Sequence, residues 1–73
     1  MNNRRLLSEY YKGDGSCAQI FRVTNGDQQG FYSITFSDPQ GHSISQEDYP
    51  HKALGYVEDA AENWTLGIKL LLG

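Results

Sequence analysis

The sequence predicts an α+β domain, an antiparallel meander of three strands with room for a fourth, packed on one C-terminal helix. Three observations predict it. Apolar residues recur with a helical period over residues 50–68, Tyr32, Ile34 and Phe36 alternate with Ser33, Thr35 and Ser37, and Asp38-Pro39-Gln40-Gly41 follows as a turn. The chain has 73 residues, so residues 1–73 form one small domain near the lower limit of what folds alone. Hydrophobic residues make up 38%, but five of them are tyrosines and only two are valines. The aliphatic core is therefore thin, which favours self-association.

The first sixteen residues fit two readings. Leu6, Leu7, Tyr10 and Tyr11 have the spacing of one helical turn, yet Tyr10-Tyr11-Lys12 running into Gly13-Asp14-Gly15 also fits a strand that turns into the next one. The strand is the preferred reading. Cys17 to Thr24 reads as a second strand with apolar residues on both faces, and Asn25-Gly26 opens a loop that closes at Gly30. The alternation from Tyr32 to Ser37 is the period of two expected of a strand with one buried and one wet face. Asp, Pro and Gly then stand at the first, second and fourth positions of a type I turn, each where that turn prefers it. The returning strand, about His42 to Gln46, is polar apart from Ile44 and is expected at an edge.

The helix is expected from about 50 to 66. At 100° per residue, Ala53, Leu54, Val57, Ala60, Ala61, Trp64 and Ile68 gather on one arc with Tyr56 at its margin, while Lys52, Glu58, Asp59, Glu62 and Asn63 fall opposite. Pro50 suits the first turn, Asp48 a nearby cap, and Gly67 the position just past the end. Leu66 falls on the polar side. The tail Ile68-Lys69-Leu70-Leu71-Leu72-Gly73 is apolar and needs cover, either from a second copy or by folding back on the strand from Cys17.

Charge and composition set several functions aside. The net charge is −3, which argues against a sequence-independent grip on nucleic acid. Its distribution is uneven, since Arg4, Arg5, Lys12 and Arg22 offset Glu9, Asp14 and Asp27 in the first half, while Lys52 and Lys69 face six acids in the second. The tyrosines with Arg4, Arg5 and Arg22 are the ingredients for weak single-strand stacking, a minor alternative. One cysteine, Cys17, rules out an intrachain disulfide and a multi-cysteine zinc site and points to a reducing, cytoplasmic compartment. No apolar run approaches a membrane span, and residues 1–7 hold no signal-peptide core.

Motifs for chemistry are weak throughout. Gly13-Asp14-Gly15-Ser16 lacks the further glycines or the Gly-Lys-Ser/Thr ending of a phosphate loop and reads as a tight turn. Cys17, His42 and His51 are not set in any nucleophile motif, and the two histidines lack the close spacing of a zinc pair. Asn63-Trp64-Thr65 fits a glycosylation sequon by accident of the helix, where Trp64 serves as a core anchor. No catalytic residue, metal or cofactor is expected, and the chain is read as a non-enzymatic protein-interaction module that also forms a homodimer. Glu58, Asp59 and Glu62, with Glu47 and Asp48 near the helix start, form an acidic ridge suited to a basic protein surface, and Leu66, Leu70 and Leu71 are the apolar candidates beside it.

Residues 58–68, Glu-Asp-Ala-Ala-Glu-Asn-Trp-Thr-Leu-Gly-Ile, resemble the closing segment of small uncharacterised proteins of T-even-like cyanophages, with the likeness extending back to residue 30. That resemblance implies a phage accessory protein acting in the host cytoplasm and supplies no catalytic residues. Phe36-Ser37-Asp38-Pro39-Gln40-Gly41 is also similar to the strand end of HicB-type antitoxins, which have Pro before Asp where this chain has Asp38 before Pro39. It implies a nuclease inhibitor as the alternative function.

Overall fold

The computed structural model describes residues 2–25 and 28–67. Among the described residues, four strands, β1 (Asn2–Tyr11), β2 (Cys17–Asn25), β3 (Gln28–Ser37) and β4 (Ser43–Tyr49), form one antiparallel sheet in the order β1-β2-β3-β4, and one helix, α1 (Leu54–Thr65), follows them. The fold class is as the sequence predicts, with the fourth strand present and the N-terminal segment a strand.

Local chemistry explains each reversal. Between β1 and β2, the Asp14 carboxylate accepts the Ser16 N–H at 2.8 Å and the Gly15 N–H returns to the Lys12 carbonyl at 3.0 Å. Between β3 and β4, Asp38 Oδ1 accepts the N–H groups of Gln40 and His42, at 3.0 and 2.8 Å, while Gly41 closes the turn on the Asp38 carbonyl at 2.9 Å. Gly41 has φ +89°, a left-handed conformation that only glycine adopts cheaply.

The core lies between the helix and one sheet face. Ala18 and Ile20 of β2, Ile34 and Phe36 of β3, and Val57, Ala61 and Trp64 of α1 make it up, flanked by half-buried Tyr10, Tyr32, Tyr49, Leu54 and Ala60. The Phe36 and Trp64 rings meet with centroids 5.0 Å apart at 57°, a tilted contact that adds to the area each buries. Phe36 of the alternating strand and Trp64 of the helical arc thus share the core.

Four expectations are corrected. The helix begins at Leu54 rather than near residue 50, because β4 continues to Tyr49 and Pro50-His51 forms the turn between them. Asp48 is consequently a strand residue that accepts hydrogen bonds from Ser33 and Gln46, and the N-cap is Ala53 with no side-chain cap. The loop expected from Asn25 to Gly30 is shorter, since β3 starts at Gln28; a Cβ on Gly30 would stand 2.6 Å from the Val23 carbonyl oxygen, so glycine there permits close strand contact. Ser33, expected on a wet face, is fully buried and donates to Asp48 Oδ1 at 2.7 Å across the β3–β4 pair. At the far end Gly67, with φ +81°, follows the helix as expected.

Candidate interaction surface

Register fixes which side chains share a face. Tyr10, Ala18 and Phe36 stand in line under the helix, as do Ser8, Ile20 and Ile34, so the opposite face carries Arg4, Leu6, Glu9, Tyr11, Cys17, Gln19, Phe21 and Thr35. No element of the described chain covers this second face. On it Arg4 lies 4.1 Å from the centre of the Phe21 ring and donates to Thr35 Oγ1 at 3.0 Å, while Glu9 accepts from Gln19 Nε2 at 2.9 Å and from the Tyr11 hydroxyl at 3.2 Å.

The acidic candidates come together on the other side. Glu58, Asp59 and Glu62 of α1 are on the side of the helix near Tyr10 of β1, and burial followed by their negative charge pushes the Tyr10 phenol above its usual range. Asp59 and Glu62 are exposed and Glu58 half-buried; none of the three forms an ion pair among the described residues. Leu66, just past the helix, is 65% exposed, a large apolar side chain in water beside this shoulder. Glu47 and Asp48 do not join it: they lie on β4, where Glu47 accepts from the Tyr49 hydroxyl at 2.5 Å. The ridge expected from a longer helix therefore shortens to the three helical acids. Leu70 and Leu71 fall outside the described residues, as does Ile68.

The cations are engaged by rings. Lys12 lies 4.3 Å from the Trp64 ring centre, Arg22 5.3 Å from that of Tyr32, and Lys52 4.7 Å from that of Tyr56, each within the range of a cation–π contact. Sequence reasoning missed this arrangement. The signal was present in a chain with six Lys and Arg and nine aromatic residues, but it takes the register to bring them together.

The residues weighed for chemistry are dispersed. Cys17 opens β2, His42 stands in the β3–β4 turn 3.4 Å from Asp38, and His51 lies before the helix. Among the described residues no three of His, Cys, Asp and Glu gather as a metal site. A cleft of about 310 Å³ lies between the two turns, lined by Tyr11, Gly15, Cys17, Gln19, Ser37 and Asp38 among others. Its thiol is pushed up by burial, and a protonated thiol is a poor nucleophile. Among the described residues no helix is long and apolar enough to cross a membrane. No family model, curated protein or solved structure matches the chain.

Proposed function

We propose that the chain is a protein-interaction module that docks a basic protein surface through Glu58, Asp59 and Glu62, with Leu66 as the apolar contact beside them. The observation that carries this reading is the grouping of three carboxylates on one stretch of α1, none of them in an ion pair among the described residues. Cations that could have neutralised them rest on aromatic rings instead. Such a shoulder attracts a positive surface at long range, and an exposed leucine next to it gives the contact area that charge alone lacks. The antitoxin-like form of this reading has the same shoulder occupy the substrate groove of a nuclease, which is positive because it binds phosphates.

The test combines E58Q, D59N and E62Q in one variant. Crosslinking in the cells that carry the protein is expected to trap a basic partner with the natural chain and lose it with the variant. A spectroscopic titration of Tyr10 in both proteins checks the geometry separately, because removing the three charges should lower its phenol pKa. Capture of the same partners by both proteins would overturn the reading.

A further inference from the structure

We infer that β1 is a self-pairing edge: two copies join along it, antiparallel, about a two-fold axis between Leu6 and Leu7. This deepens the reading of the chain as an interaction module by naming a second copy as the occupant of the backbone edge of β1, which adjoins the acidic shoulder at Tyr10. β1 is the longer of the two outer strands, ten residues against seven, and among the described residues it pairs with β2 alone. Its outer row of backbone N–H and C=O groups therefore faces no strand, and Leu6 and Leu7 are 45% and 37% exposed along it.

The bulge in β1 selects the register. Leu6 pairs with Phe21 and Ser8 with Ile20, so Leu7 is an extra residue. Face alternation therefore changes phase there: Arg4 and Leu6 lie on the open face before the bulge, Glu9 and Tyr11 after it. Directly opposed residues in an antiparallel pair must share a face. An unbulged strand pairs with its own copy so that some residue opposes itself, which keeps even with even and odd with odd. Across this bulge that rule would set open-face residues against helix-face ones. Face matching on both flanks requires the other parity, with even residues opposite odd ones.

Among the registers of that parity, the one centred between Leu6 and Leu7 pairs the whole strand, from Asn2 opposite the copy's Tyr11 to Tyr11 opposite its Asn2. It also sets Arg4 opposite the copy's Glu9, twice by symmetry, both on the open face and both exposed. Shifting by one step of the same parity either way sets Arg4 opposite Leu7 or Tyr11 and shortens the overlap. Arg4 would turn from Thr35 and from the Phe21 ring, and Glu9 from Gln19 and Tyr11, exposed contacts that are each worth little. A bulge ordinarily guards an edge against foreign strands. Here it admits a copy that carries the same bulge, so the guard becomes a selector. Two-fold closure also leaves no open end for further growth.

Sedimentation equilibrium of the full chain tests this. The natural protein is expected to be a dimer. Arg4→Glu and Glu9→Arg alone each place like charges opposite one another twice and should weaken the dimer by about tenfold or more. An equimolar mixture of the two single variants should dimerise again, because every contact across the axis is then Glu against Arg; so should the double variant. Circular dichroism of the single variants, both changed at exposed positions, verifies that they stay folded. A natural chain that sediments as a monomer throughout, single variants that dimerise undiminished, or a mixture that stays monomeric would each overturn the inference. Growth into open-ended polymers, the signature of β1 pairing with β4 of the next copy, would overturn it as well. None of these outcomes bears on partner capture by the acidic shoulder, which E58Q, D59N and E62Q test separately.

Discussion

Trp64 is the largest of the three helix side chains buried in the core, 3% exposed, with the Phe36 ring and the Lys12 ammonium packed against its ring. Trp64→Ala should cost about 3–5 kcal/mol, comparable to the whole stability of a domain this small. A cooperative melt unchanged by the substitution would contradict the placement. Gly30 is the opposite kind of position, where an added atom is the problem. Gly30→Ala puts a Cβ at 2.6 Å from a backbone oxygen and 2.9 Å from Thr24 Cγ2, and overpacking of this kind costs about 1–3 kcal/mol. Chemical denaturation gives the value; a loss below a few tenths would mean that the strands part easily there. Trp64 was legible in the sequence because a helical period singles out its arc. Gly30 was not, since a glycine near Asn-Gly reads as loop until the register of β2 and β3 is known.

Turns and strands differ in how much of them the sequence shows. The Asp38-Pro39-Gln40-Gly41 turn was legible to the residue, since its chemistry is local. The end of β4 was not, because Gln46 to Asp48 are polar and owe their strand state to pairing with β3 and to the Ser33–Asp48 contact. The helix start was misplaced for the same reason: a proline and an aspartate that suit a helix N-terminus were taken by the preceding strand and turn. Of the acidic candidates, the helical three were legible from their spacing, whereas their approach to Tyr10 depends on how β1 lies against α1. One prediction follows from the turn itself. The backbone N–H of His42 is the first of several groups that hold the Asp38 carboxyl below its ordinary 3.8. The unfolded chain therefore takes up a proton at this site at higher pH than the folded one. The stabilisation is complete above the ordinary aspartate range and is lost as pH falls through the lowered folded value. Asp38→Asn should flatten the acid limb of a melting-temperature profile; an unchanged limb would assign acid sensitivity elsewhere, Asp14 with its Ser16 bond being the next candidate.

Across the described residues, α1 lies over one sheet face, and the other carries a mixture of polar, aromatic and aliphatic side chains, Arg4, Leu6, Gln19 and Phe21 among them. The net charge of −3 and the engagement of Arg4 with Phe21 and Thr35 leave that face without the positive field that phosphates require. A fluorescence-anisotropy titration with short single strands at physiological salt should show no saturable binding in the micromolar range or below. Tight binding to any of them would revive the stacking alternative.

The resting of cations on rings has a consequence for how the protein responds to its ionic surroundings. Proteins laced by ion pairs soften as salt screens the attraction between them. Here Glu58, Asp59 and Glu62 stand close along α1 and none of them forms an ion pair among the described residues, so added electrolyte relieves their repulsion in the protomer and should raise its melting temperature. The junction between copies at β1, which sets Arg4 against Glu9, responds the other way and loosens. Salt therefore separates two levels of organisation that dilution alone does not, giving firmer single chains and fewer pairs. Melting curves and sedimentation run across one salt series would show the two trends diverging; a parallel decline would mean that attraction between opposite charges holds the fold as well as the pair.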